Sequence, residues 1–256
     1  MKKTLSLLAA AVCGTMMLVA CDPEELVKEI IEENSGNVSM VAANGSQLDD
    51  QQYKNGDTVK LGTVLCGTSD DGVVRVVGIR GSLLDEQRFE GNNFPVININ
   101  LTGNGGEGTY NVSLPIDNLD FLNSIASWGG IGHASDTMSS SYNFLFLAVS
   151  NDSYYLAKEA EVEVTEMGEV GGQVKGEIKN AVCKYITSAK INHIHDLKTA
   201  IQNAESNPEE AAAAATELAT INVDTYFPEI TFNGSFSALR ADISGYARAI
   251  SRLNEE

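Results

Sequence analysis

Between Val38 and Thr187 the chain alternates short apolar runs with Gly, Asn and Asp, a texture of strands and turns rather than helices. Seven segments carry it: "DTVKLGTVL" (57–65), "GVVRVVGIRG" (72–81), "FPVININLTG" (94–103), "GTYNVSLPI" (108–116), "YNFLFLAVS" (142–150), "YYLAKEAEVEVTE" (154–166) and "GGQVKGEIKNAVCKYI" (171–186). They are rich in β-branched and aromatic residues, which suit a pleated, half-buried surface. In "EAEVEVTEM" the period is two, so Ala160, Val162 and Val164 share one face while Glu161, Glu163 and Thr165 share the other. "SNDS" (150–153) and "EMGEVGG" (166–172) supply turn residues between successive strands. Near His195 the pattern changes to "DLKTAIQNAE" and "NPEEAAAAATELAT", two helices, the second with Asn207 as cap and Pro208 at the first position. Extended structure returns over 225–243.

The expected fold is mainly β: an antiparallel β-sandwich or barrel-like domain over 38–245, with a helical hairpin inserted at 188–222 and a short tail at 246–256. A two-strand remnant after the hairpin could hardly stand alone, which places both parts in one domain.

The beginning of the chain has a different character. Met1-Lys2-Lys3 followed by an apolar run to Ala20 reads as the n- and h-regions of a secretory signal peptide, residues 1–20. Leu18-Val19-Ala20-Cys21 resembles a bacterial lipobox, which implies cleavage before Cys21 and acylation of its sulfur. Two or three acyl chains, at ~0.8 kcal/mol per buried methylene, make a stable anchor to the lipid bilayer. Residues 21–37 then read as a lipidated tether. Asp22-Pro23-Glu24-Glu25 opens a short helix with Leu26, Val27, Ile30 and Ile31 on one side. The acidic residues after Cys21 are similar to the surface-export signal of Bacteroidetes lipoproteins, and equally fit a solvated spacer. Further along, "GTYNV", "YYLAKEAEVEVTEMGEVGGQVKGEIKNA" and "FNGSFSAL" resemble outer-membrane or surface lipoproteins of that group with a C-terminal β-sandwich of unknown function. No catalytic residue is implied by that resemblance.

Charge narrows the partners. The chain carries 17 basic and 35 acidic residues, a net charge of −18. Loss of Lys2 and Lys3 with the leader makes the remaining chain more acidic still. Without a basic cluster such a chain repels phosphate backbones, and nucleic acid is excluded as a partner. Once Cys13 leaves with the leader and Cys21 is acylated, Cys66 and Cys183 are left; they read either as a disulfide of an oxidising compartment or as two buried thiols.

Candidate chemistry is sparse. "GNGGEG" (103–108) matches a dinucleotide-loop spacing, but the alternating strand Thr109–Pro115 follows where a helix is required. His193-Ile194-His195, taken as extended, would put two imidazoles on one face as metal or haem ligands, with His133 the remaining histidine. Asp196 reads as the cap of the helix that follows. "TSDDG" (68–72) and "SNDS" are acidic turns that could hold calcium, though neither has the ligand alternation of a calcium loop. The stretch 124–142 reads as a long loop holding Trp128, His133 and Asp136. Trp128 could stack on a sugar ring with Tyr154 and Tyr155 as partners, or plug the core. No G-x-S-x-G elbow occurs, and the paired acids Asp49-Asp50 and Asp70-Asp71 lie in polar turns unsuited to raising a carboxyl pKa. The expectation is a lipid-anchored, non-catalytic envelope protein that binds a glycan or small ligand, or an adhesin-like assembly partner in an outer-membrane complex.

Overall fold

A computed structural model describes residues 36–45, 53–68, 72–79, 96–103, 105–128, 138, 141–150 and 152–241. The leader, the lipobox, Cys21, the tether helix, the acid pairs at 49–50 and 70–71, His133, Asp136 and the tail at 246–256 lie outside the described residues.

Ten strands are described: β1 (Asn37–Ala43), β2 (Thr58–Leu61), β3 (Thr63–Thr68), β4 (Val73–Ile79), β5 (Val96–Thr102), β6 (Gly108–Ser113), β7 (Phe144–Ala148), β8 (Ser153–Met167), β9 (Gln173–Thr187) and β10 (Glu229–Ala241). The described helices are α1 (Leu119–Ser127), α2 (Ser188–Gln202), α3 (Pro208–Thr220) and the short α4 (Val223–Tyr226). The fold is mainly β, and the helical pair falls inside the expected 188–222 interval. Each of the seven expected segments contains a described strand. "DTVKLGTVL" divides at Gly62 into β2 and β3, β1 is an additional strand, and the 225–243 segment starts with α4 before β10.

The strands form one sheet that closes on itself. β3, β4, β5, β7, β8, β9 and β10 follow one another around a ring, and β10 returns to β3. That last junction, Leu239–Ala241 against Leu65–Gly67, is parallel; the other described pairings are antiparallel. Three long strands make the closure possible. β8 pairs with β7 along one part of its edge and with β6 further along it; β10 likewise pairs with β3 and then β1, whose outer neighbour is β2. Where β6 departs from the ring, the Asn143 side chain joins the parts. Its Oδ1 accepts from the Thr102 amide (2.6 Å) and hydroxyl (2.8 Å), while its Nδ2 donates to Asn111 O (3.0 Å).

The ring interior is a filled apolar core. Val64, Cys66, Val74, Val76, Ile97, Ile99, Leu101, Leu145 and Leu147 enter it from β3, β4, β5 and β7. From β8 the inward residues are Tyr155 and Ala157, then Ala160, Val162 and Val164. The inward set switches from odd to even numbers because a register shift lies between Ala157 and Glu159. β9 switches the other way, Val174 and Ile178 giving way to Ala181, Cys183 and Tyr185. Asn180 sits at that switch with φ 49°, its amide donating to Asn233 Oδ1 at 2.8 Å. An extra residue of this kind bends and coils the strand, which a closing sheet requires. Gly176 serves the same packing. A Cβ there would lie 2.3 Å from the Phe236 ring and 2.5 Å from Glu163 O.

A second apolar cluster lies on the outside of the ring. Phe144, Phe146 and Ala148 of β7, Tyr154 and Leu156 of β8 and Ile186 of β9 pack under Phe121, Leu122 and Ile125 of α1 and Ile191 and Ile194 of α2, with Phe227 fully buried among them. β7 is therefore covered on both faces, which accounts for its unbroken apolar run.

Candidate functional site

Where the ring wall meets the helical layer, one charge among the described residues is buried. Lys184 follows Cys183 on β9, so its side chain points out of the ring toward the helices. It is 0 % exposed, and Nζ lies 3.0 Å from Asp224 Oδ1, 3.0 Å from Glu229 Oε1 and 3.2 Å from Asp117 Oδ1.

Each carboxylate is delivered by a different local structure. Glu229 is the cross-strand partner of Lys184 in the β9–β10 ladder. Asp117 sits in the turn before α1, where the Asn118 amide donates to Pro115 O (3.0 Å) and the Asn118 side chain caps the helix by accepting from the Asp120 amide (2.7 Å). Asp224 occupies the first turn of α4, whose cap Asn222 accepts from the Asp224 amide at 3.0 Å. Lys158, beside the β8 shift, bonds Asp117 Oδ2 at 2.5 Å and lies 3.9 Å from Glu229. Two lysines and three carboxylates thus meet, each carboxylate more than a third exposed and Lys184 wholly enclosed.

Charge states follow from these contacts. Burial alone would lower the Lys184 pKa, but the hydrogen bonds it donates to Asp224, Glu229 and Asp117 outweigh it and raise the value. Burial of Asp117 would raise its pKa, but hydrogen bonds from Lys158 and Lys184 hold it below the usual carboxylate value. Lys184 is an ammonium near neutrality, which suits it neither to nucleophilic attack nor to proton abstraction. The oxygens of Asp117, Asp224 and Glu229 lie within 4.8 Å of one another, the arrangement of a hard-cation site. Here the ammonium fills the position an ion would take.

The sequence-predicted residues are dispersed. His193 and His195 lie within α2, not in an extended segment, and two positions apart on a helix face in directions roughly 200° apart. His193 Nε2 is 3.0 Å from Glu217 of α3, and His195 Nδ1 is 3.0 Å from Asn123 of α1. They pin α2 to its two neighbours and do not form a metal pair. Asp196 is in mid-helix; the cap of α2 is Thr187, whose hydroxyl accepts from the Lys190 amide (3.4 Å).

Trp128 closes the C-terminal end of α1, a helix where a loop was expected, and packs edge-on against Phe121 with ring centroids 6.3 Å apart. Tyr154 and Tyr155 do not join it at a surface. Tyr155 is buried inside the ring among Tyr185, Phe232 and Tyr53, and its hydroxyl accepts from the Tyr53 amide (3.2 Å). Tyr154 is buried in the outer cluster, where enclosure pushes its phenol pKa up.

Cys66 and Cys183 are both free, buried thiols. On β10 their register partners are Arg240 and Ile230, ten residues apart. At about 3.3 Å per residue, that is several times the Cα separation a disulfide spans. Desolvation pushes Cys66 up to about 12, with Arg240 opposing, and raises Cys183 as well.

The glycine loop at 103–108 joins β5 to β6 with no helix after it. Gly105 (φ 67°) lies against Gly72 (φ 80°), both in the left-handed region that favours glycine, and a Cβ on Gly72 would lie 2.5 Å from Gly103 O. The 150–153 turn closes on itself, with Ser150 Oγ 2.7 Å from Ser153 Oγ and Ser150 Oγ accepting from the Asp152 amide at 3.2 Å.

The Lys184 centre was missed from the sequence. Its one signal was a lysine at a position of "AVCKYI" where an apolar residue would be ordinary. Comparison with known protein families, with curated proteins and with solved structures finds no match to this chain.

Proposed function

We propose that this chain is a lipid-anchored cell-envelope lipoprotein of the outer-membrane or surface type, a non-catalytic binding module for a glycan or other small ligand. The observation that carries the reading is Leu18-Val19-Ala20-Cys21 at the end of a basic-then-apolar leader. The character of the folded part supports it. The ring interior is occupied by side chains, so a ligand would meet the outer surface. The buried charged centre found among the described residues holds its lysine as an ammonium among carboxylates, an arrangement that ties the helical layer to the wall. Of the aromatic residues read as ligand contacts, Tyr154 and Tyr155 are buried, and the proposal keeps Trp128, which is partly buried against the outer cluster.

The test is a thermal-unfolding panel on the full chain in detergent, with EDTA, calcium, zinc and a set of polysaccharides, beside Trp128→Ala. A ligand at 100 times its Kd stabilises by about 2.7 kcal/mol, a shift of several degrees. A shift with one polysaccharide that Trp128→Ala removes supports the binding reading. A flat panel together with crosslinking on whole cells that captures a discrete complex supports the second reading, an assembly or adhesin-like component, which fits β2 and β6 ending the described strand order without a further described strand.

A further inference from the structure

We propose that α4 is an acid-released strap: protonation of the carboxylates around Lys184 frees Ile221–Tyr226 from the ring wall while the ring itself stays closed.

The charges set the direction. Near neutrality Lys184 and Lys158 face Asp117, Asp224 and Glu229, two positive charges against three negative. With the carboxylates protonated, two ammonium groups face each other and the fully enclosed one has no counter-charge. An enclosed ion without a partner is costly, and water must reach it.

What yields is decided by how each partner is mounted. Glu229 is fixed in the β9–β10 ladder, and Lys158 in β8, where its carbonyl accepts from the Leu114 amide. Asp117 is held by the backbone bonds of the 114–118 turn. Asp224 rides on four helical residues, none of them buried, and its carboxylate is the most exposed of the three at 74 %. Besides Asp224, α4 is held by Lys190 of α2, whose Nζ donates to Tyr226 O (2.8 Å) and sits 5.4 Å from the Tyr226 ring, and by Val223 and Tyr226 packing on the outer cluster, with the Glu217 carboxylate of α3 acting on the Tyr226 phenol. Ile221, extended, and Phe227, fully buried, mark the two ends between which the strap moves. Opening uncovers Lys184 together with the partly buried Val223 and Tyr226.

Hydrogen exchange of the full chain in detergent, followed by mass spectrometry at about pH 7 and about pH 3 and corrected for intrinsic rates, tests this. The expected result is that peptides covering 221–227 exchange at least about tenfold faster at the lower pH, the scale of one lost charge-assisted hydrogen bond, while β4 and β5 stay protected. Lys184→Met removes the enclosed charge and should abolish the pH dependence at 221–227. Asp224→Asn should give the fast exchange already at neutral pH. Equal protection of 221–227 at both pH values overturns the proposal. So does acid opening that persists in Lys184→Met, or loss of protection in β4 and β5 in step with the strap.

Discussion

Replacing Lys184 by Met keeps most of the length and volume of the stem and removes the charge. Three charge-assisted hydrogen bonds at 3.0–3.2 Å disappear, each worth about 1.5–3 kcal/mol in gross terms. Most of that is offset, because the folded chain no longer has to desolvate an ammonium. The three carboxylates left behind are all partly exposed and rehydrate, and Asp117 and Glu229 keep Lys158. The net loss near neutral pH is about 1–3 kcal/mol, or roughly 2–4 °C in Tm for each kcal/mol in a chain of this size.

The pH profile is the sharper part. The Asp117 pKa is lowered on folding, so its contribution is present above the unfolded carboxylate value, near pH 4, and is lost as pH falls through the folded value. The Lys184 pKa is raised, so its contribution is present below the unfolded lysine value, near pH 10, and is lost as pH rises through the folded value. Wild type and Lys184→Met should differ most between those limits and converge on either side. Urea unfolding followed by Trp128 fluorescence at a series of pH values measures the difference. A Lys184→Met variant as stable as wild type at neutral pH, or a gap unchanged at about pH 3, would refute the reasoning.

Three further outcomes are expected. Gly176→Ala forces a methyl group onto the Phe236 ring and the Glu163 carbonyl, and should cost about 1–3 kcal/mol, read as a lower urea midpoint with unchanged slope. Phe144→Ala opens a hole in the outer cluster beneath the helices and should cost about 3–5 kcal/mol in the same assay. Cys66 and Cys183, enclosed and with raised pKa, should react with a thiol reagent at neutral pH only after unfolding, and without prior reduction; peptide mapping that finds them joined in the native chain would contradict the structure.

The sequence made some features readable because their causes are local. The alternation of Ala160, Val162 and Val164, the cap at Asn207 with Pro208 behind it, and the unbroken run of β7 each follow from neighbouring residues. The inward face of β8 could not be followed through, because the shift beside Lys158 moves it from Tyr155 to Ala160, and Asn180 does the same to β9. That is why Tyr154 and Tyr155 read as a surface pair: without the coiling of the closed sheet, their two neighbourhoods have no cover. His193 and His195 were misplaced because α2 starts at Ser188, directly after the strand, where Thr187 provides a cap without a proline or acidic first turn to mark it. The charged centre was the least accessible of all. Lys184 finds one carboxylate 40 residues ahead in Asp224 and another far behind in Asp117, and only the finished topology brings them together.

The account rests most on Cys21, and its state can be measured directly. The chain would be expressed with its own leader in a Gram-negative host, extracted from membranes, and its N-terminal peptide weighed. The account predicts a peptide that begins at Cys21 and carries a diacylglyceryl group on the sulfur, and a Cys21→Ser variant that keeps its leader and gains no lipid. An unmodified Cys21, whether the leader is retained or removed at another bond, would contradict it.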